Sequence, residues 1–193
     1  FVMQQPDIAT RDVSSVRQVI YGASPIDEEL LVQAAAKFKC DFVQVYGLTE
    51  TTGGGTNLKP EDHDAARNKL RSCGKPNAGV ELRIVDEAGN DVPQGEVGEI
   101  IMRGGSIMKG YWNKPDATTE AVKDGWFYSG DAGFLDEEGY VFIHDRVKDM
   151  IISGGENIYT AEVENELMSH PDIIDAAVVG VPDDKWGETV KAF

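Results

Sequence analysis

The chain of 193 residues is 41% hydrophobic and carries a formal charge of -16, from 34 acidic against 18 basic side chains. That length holds one generous domain or two small ones with a real core, and that charge repels nucleic-acid phosphates and anionic headgroups, arguing against nucleic-acid or polybasic membrane binding. Cys40 and Cys73 form no Cys-x-x-Cys pair, and no run nears the roughly 20 apolar residues of a membrane span, so a reducing, cytoplasmic setting is expected.

The first residue is Phe1, and the start has neither the basic nor the apolar region of a leader. Both ends read as cuts, the last residues Val190 to Phe193 alternating like a strand in progress. From Val16 to Tyr46 the expected order is strand, helix, strand. Val16 to Tyr21 is rich in β-branched residues, and Ser24-Pro25-Ile26-Asp27 supplies an N-cap, a proline at the first helical position and an acid three residues after the cap. Ile26, Leu30, Leu31, Ala34, Ala35 and Phe38 then recur at helical spacing, and Phe42 to Tyr46 is the next short strand. Such a unit suits a crossover in a parallel sheet, which gathers ligands at the carboxyl ends of its strands. That edge would carry Gly22-Ala23-Ser24 and Tyr46-Gly47-Leu48-Thr49-Glu50.

From about Ser72 to Ile143 the texture changes to short β-like runs, Val80 to Val85, Glu99 to Arg103 and Tyr140 to Ile143. Turn clusters separate them, among them 86–90 and 136–139, so a small β-rich unit with the form of a distorted barrel is expected. After Arg146 the reading is a strand at Met150 to Ile152, a turn at Gly154-Gly155, a helix near Ala161 to Ser169 ending before Pro171, and a strand within Ile173 to Val181. This is a truncated α+β unit. The expected division is 1–71, 72–146 and 147–193, within an α/β and α+β multidomain class.

Several familiar signals fail on inspection. Gly105 to Gly110 has the spacing of a phosphate loop, but Tyr111 stands where that loop needs Lys. Ser24 follows Gly22 as in a nucleophile elbow, yet Ile26 occupies the position of the required Gly. His63, His144 and His170 are scattered without metal-ligand spacing.

Four segments together are more specific. Tyr46-Gly47-Leu48-Thr49-Glu50 resembles the signature of the adenylate-forming superfamily of acyl-CoA synthetases, adenylation domains and luciferases. Tyr128-Ser129-Gly130-Asp131, Asp145-Arg146-Val147-Lys148-Asp149 and Met150 to Asn157 are similar to later motifs of the same family, in the same order. The resemblance covers the chain from about Val16 onward and is strongest toward fatty acyl-CoA synthetases of medium and long chain length.

The resemblance implies a site that takes ATP, Mg2+, coenzyme A and a carboxylic acid of the fatty class. Tyr46 would lie flat on a purine, Gly47 would let backbone approach the nucleotide, Thr49 would donate to a phosphate oxygen and Glu50 would hold the cation. Taken alone, a Thr-Glu pair after a strand is more often the cap of a following helix. Gly22, Ala23 and Ser24 match the segment beside adenine and the acyl pocket, where Ser24 also suits a plain N-cap. Gln44 is a candidate for the adenine edge, or a polar strand residue facing solvent. Asp131, read here in a tight turn after Gly130, would accept from both ribose hydroxyls, and Arg146 would help hold ribose or phosphate. Lys148 matches the hinge of a rotating C-terminal domain, and Gly155 would border the pantetheine tunnel, though Gly154-Gly155 also reads as a plain turn before a helix.

By the same resemblance, a phosphate loop would lie before Phe1 and a catalytic lysine beyond Phe193. The chain as written is therefore expected to lack a useful first half-reaction. The alternatives are an adenylation domain that loads a carrier protein, a luciferase-like oxygenase, and a non-catalytic nucleotide-binding module. Leu48, where many amino-acid-activating domains carry Pro, favours the coenzyme A ligase.

Overall fold

A computed structural model describes residues 2–23, 26, 28–168, 170 and 172–193. Its elements run β1 (Gln18–Gly22), α1 (Glu28–Phe38), β2 (Asp41–Tyr46), β3 (Thr56–Leu58), β4 (Lys75–Pro76), β5 (Val80–Val85), β6 (Gly98–Gly104), α2 (Pro115–Ala121), β7 (Val122–Lys123), β8 (Trp126–Leu135), β9 (Val141–Arg146), β10 (Ile151–Ser153), β11 (Glu156–Ile158), α3 (Thr160–Met168), β12 (Val178–Asp183) and β13 (Gly187–Ala192). No described helix is long and apolar enough to cross a membrane.

The strand-helix-strand opening folds as its periodicity predicts. α1 buries Leu31 and Ala34 against Phe42 and Leu70, with Val19, Tyr21, Ile26, Ala35 and Phe38 packed around them. Glu28 and Glu29 in its first turn and Lys37 in its last complement the helix dipole. The predicted cap residues Ser24, Pro25 and Asp27 lie outside the described residues. β1 and β2 pair in parallel from Gln18↔Asp41 to Gly22↔Val45. β3 and β4 then add in antiparallel order to complete a four-stranded sheet.

The second sheet is antiparallel, in the order β5-β6-β8-β7, with β9 paired along the later half of β8. It is a curled half-barrel. β6 is central, and Ile100, Ile101 and Met102 are buried on both of its faces. The predicted turns use Asp side chains: Asp86 Oδ1 accepts from the N–H of Ala88 at 2.9 Å and Asn90 at 2.8 Å, and Asp136 Oδ1 accepts from Glu138 at 2.9 Å and Tyr140 at 2.8 Å. Tyr46 packs from the first sheet against Ile84, Ile100 and Val141 of the second.

The third sheet has the order β11-β10-β13-β12 and is antiparallel, with α3 beside it. Three elements differ from the sequence expectation. Gly154-Gly155 does not lead into a helix: with φ of 62° and 90° it forms the two-residue turn of the β10–β11 hairpin, which needs positive φ at both positions. The strand expected from Ile173 begins at Val178, and Ile174 is 99% exposed. Asp131 stands inside β8 and not in a tight turn. The alternating end of the chain is β13, paired with β12 from Asp183↔Gly187 to Val178↔Ala192.

Candidate functional site

The carboxyl ends of β1 and β2 lie side by side and deliver Gly22, Ala23, Tyr46 and Gly47 to one edge. Close packing explains the glycines. A Cβ on Gly22 would stand 2.1 Å from the Val45 carbonyl oxygen, and one on Gly47 would stand 2.7 Å from the carbonyl carbon of Gly53. Ala23 has φ of 67°, a left-handed conformation that costs a non-glycine residue free energy. The chain then makes a single 3-10 turn, Thr49–Thr51. The buried Thr51 hydroxyl closes it, accepting from the Leu48 N–H at 2.9 Å.

Asp131 reaches this edge from the second sheet. In the β6–β8 pairing Glu99 faces Ala132 but Ile101 faces Tyr128, so Ser129, Gly130 and Asp131 bulge opposite Ile100. Gly130, with φ of 72°, supplies the left-handed residue the bulge needs. Ser129 Oγ donates to the Ile100 carbonyl at 2.6 Å and accepts from the Asp131 N–H at 3.0 Å, and the Gly130 N–H donates to Glu99 Oε1 at 2.9 Å. The result is a carboxylate only 6% exposed that points at Tyr46.

Three of the expected site residues therefore meet. The Tyr46 hydroxyl donates to Asp131 Oδ2 at 2.6 Å, and Arg146 Nε lies 2.9 Å from Asp131 Oδ1. Arg146 comes from β9, where it is the register partner of Asp131. Burial raises the Asp131 carboxyl above its ordinary value, against the opposing pull of Tyr46 and Arg146. Burial, and then the Asp131 charge, raises the Tyr46 phenol far above its own, so it stays a donor. Gln44, two residues earlier on the same strand face, is 7% exposed, and its side-chain oxygen is buried without a hydrogen-bond partner. An acceptor in that state invites a ligand N–H.

Thr49 is exposed at the turn and Glu50 half-buried beside it. Glu50 Oε1 accepts from the hydroxyl of Tyr111 at 2.8 Å. Among the described residues no group of three or more His, Cys, Asp or Glu stands together to hold a cation. A lone Glu50 fits Mg2+, which commonly takes one or two carboxylates and completes its shell with phosphate oxygens and water. Lys148 is exposed in the turn after β9, and Gly155 is exposed at the β10–β11 turn; neither joins the Tyr46–Asp131–Arg146 cluster. Ser24 lies outside the described residues. The buried Cys73 thiol, raised by burial to about 12, is a packing residue with no thiolate character.

Sequence reasoning missed Ser129, whose hydroxyl builds the bulge, and Tyr111, noticed only as the residue standing where a phosphate loop needs Lys. It also missed Asp145 as a contact to α3: Oδ2 accepts from Thr160 Oγ1 at 2.7 Å and from the Ala161 N–H at 3.1 Å.

Residues 1–112 match the family of AMP-binding enzymes, and residues 162–193 match the AMP-binding enzyme C-terminal domain. The chain is 44% identical over 192 residues to a fatty acid–[acyl-carrier-protein] ligase, ScoC, of Streptomyces coeruleorubidus, covering 100% of this chain and 37% of that protein. It is 45% identical over 191 residues to the medium/long-chain-fatty-acid–CoA ligase FadD8 of Mycobacterium tuberculosis, covering 99% and 33%. The chain thus spans about a third of the length of these relatives. Its fold superposes with a TM-score of 0.85, at 37% identity, on the o-succinylbenzoate coenzyme A synthetase MenE of Bacillus subtilis in complex with ATP and magnesium ion, covering 99% of this chain and 38% of the other. The chain belongs to the family of AMP-binding enzymes.

Proposed function

We propose that the protein carrying this chain activates a fatty or related carboxylic acid with ATP, as an acyl-adenylate, and transfers the acyl group to the thiol of coenzyme A. The observation that carries the reading is the buried Asp131 carboxylate, brought by a bulge to the carboxyl edge of the parallel β1–β2 pair and held between Tyr46 and Arg146. Each of its oxygens has a lone pair left after these contacts, which suits the vicinal hydroxyls of a ribose. Tyr46 offers a ring face to adenine, the orphaned Gln44 oxygen accepts from its amino group, and Gly22, Ala23 and Gly47 border the base with backbone. Leu48 and Thr49 lie along the phosphates, Thr49 donating a hydroxyl.

A carboxylate oxygen of the acid attacks the α-phosphorus, the bond to the bridging oxygen breaks, and pyrophosphate leaves. The thiol sulfur then attacks the acyl carbon, its proton passes to solvent, and AMP leaves. Glu50 would hold Mg2+, which when bound would supply positive charge to the phosphates. The reacting carboxylate needs no protein base, so the chain's residues act by positioning and charge. The same reading makes 1–71 the end of a large α/β adenylation domain, 72–146 a β-rich subdomain, and 147–193 a C-terminal unit that turns about Lys148 and brings Gly155 to the pantetheine arm.

The likeness to ScoC favours one second reading, in which the accepting thiol belongs to a carrier protein. Pyrophosphate release measured across a fatty-acid series, with acyl-AMP and thioester followed by mass spectrometry, tests both. Release with every acid absent, or no adenosine nucleotide binding at all, overturns the proposal. Thioester on carrier protein but not on coenzyme A selects the second reading.

A further inference from the structure

The carboxylate of Glu50 is oriented from outside its own turn. Its Oε1 accepts the Tyr111 hydroxyl across 61 residues of sequence, which leaves the second carboxylate oxygen for another partner. The donor arrives on a segment already tied to the same turn, because the Met108 N–H donates to the Glu50 carbonyl at 2.7 Å and Thr52 Oγ1 donates to the Ser106 carbonyl at 3.1 Å. Tyr111 is seated in turn by α2. Its N–H donates to Thr118 Oγ1 at 2.9 Å, and that hydroxyl donates to the Lys114 carbonyl at 2.9 Å. Gly110, at φ of 147°, passes so close that a Cβ there would stand 2.9 Å from Thr118 Cγ2.

We propose that Tyr111 is a positioning residue that fixes the Glu50 carboxylate for a divalent cation carried by a polyphosphate, and that Thr118 holds Tyr111 in place for it. The inference rests on the reading of Glu50 as a cation ligand. Its chemistry favours a phenol over a cationic side chain: a neutral donor orients the carboxylate without cancelling the charge that attracts the metal, whereas a Lys at 111 would compete with the metal. Tyr111 is 36% exposed, so its hydroxyl contributes little to the fold, and its effect falls on the orientation of its partner.

The test is the free Mg2+ concentration that half-saturates ATP binding, read by titration calorimetry on the protein that carries this chain. Y111F is expected to raise that concentration about three- to tenfold, with nucleotide affinity in the absence of Mg2+ unchanged and thermal midpoint within about 2 °C. T118V moves it in the same direction by a smaller factor, and T118S, which keeps the hydroxyl, restores the wild-type value. In turnover, Y111F loses rate at limiting Mg2+ and recovers it at saturating Mg2+, with KM for the acid unchanged. A Y111F protein that matches wild type while E50Q raises the Mg2+ requirement overturns the inference alone. An E50Q protein with an unchanged Mg2+ requirement overturns the reading of Glu50 and the inference with it. Equal losses in the presence and absence of Mg2+ for Y111F show a merely structural residue and also overturn it.

Discussion

The three sheets are joined by two seams of different construction. Between the first and second, the segment that links β3 to β4 is woven into β9: the Cys73 N–H donates to the Val141 carbonyl at 2.8 Å, the Val141 N–H donates to the Gly74 carbonyl at 2.8 Å, and Ser72 Oγ adds a bond of 2.9 Å to the Val141 carbonyl. Buried charge reinforces it. Asp62 accepts from the Tyr140 hydroxyl at 2.8 Å and from Arg67 at 2.5 Å, while Lys69 pairs with Asp136 at 2.5 Å and Glu138 at 2.8 Å. The ammonium groups of Lys69 and Lys75 lie 4.7 and 4.4 Å from the centre of the Tyr140 ring. Between the second sheet and α3, the contact runs through Asp145, which accepts from Thr160 and Ala161, and through the rings of His144 and Tyr159, 4.9 Å apart. The first seam cannot part without exposing unpaired backbone and stranded charge. The second exchanges one carboxylate's partners for water and separates one pair of rings, so the proposed rotation about Lys148 has less to break.

The first seam is most sensitive at Gly74. A Cβ there would lie 1.8 Å from the Asn57 carbonyl oxygen, on a residue whose φ of 81° already excludes most side chains. Gly74→Ala is expected to cost about 3 to 5 kcal/mol, read as a collapse of the thermal midpoint or as insoluble protein. A variant with wild-type stability would show that the seam is not the rigid joint described. Asp62→Ala removes the acceptor of the Tyr140 hydroxyl and the ion-pair partner of Arg67 at the same seam. Its expected loss is about 2 kcal/mol in urea unfolding, with the cooperativity of the first two sheets intact.

At the second seam the expected effect is smaller and local. Asp145→Ala removes acceptors from the first turn of α3 and is expected to lower stability by about 1 kcal/mol. Hydrogen exchange should speed up across 147–193 and stay unchanged in β1, β2, β5 and β6. Loss of protection throughout would mean that both seams carry the fold alike.

The smallest stability effect belongs to the site. Because burial raises the Asp131 carboxyl in the folded state, its contribution to stability is complete below the ordinary value of 3.8 and is lost as pH rises through the raised one. Ionised Asp131 is therefore a net cost at neutral pH. Asp131→Asn should leave the neutral-pH urea midpoint unchanged or slightly higher and flatten its dependence on acid, while weakening nucleotide binding at least tenfold. A lowered midpoint at pH 7 with unaltered nucleotide binding would reverse the assignment of Asp131 from ligand to structural residue.

What was legible in the chain was what neighbouring residues decide among themselves. β1, α1, β2, β5 and β6 follow from apolar periodicity of two or 3.6, and the turns at 86–90 and 136–139 from an Asp side chain that bonds its own backbone. The two- and three-residue strands β3, β4 and β7 left no periodic signal, since a strand that short is defined by the partner it finds. Tyr46, Asp131 and Arg146 were each picked out by resemblance, but their meeting needed a three-residue bulge in β8 and a contact between residues 85 apart. The Tyr111–Glu50 and Tyr140–Asp62 bonds, across 61 and 78 residues, left no mark in local sequence at all. Sequence by itself determined the elements long enough to carry a period, and the chemical groups available. Tertiary structure decided which groups meet, because a side-chain hydrogen bond between distant residues depends on how whole sheets dock and on no pattern either residue's neighbours carry.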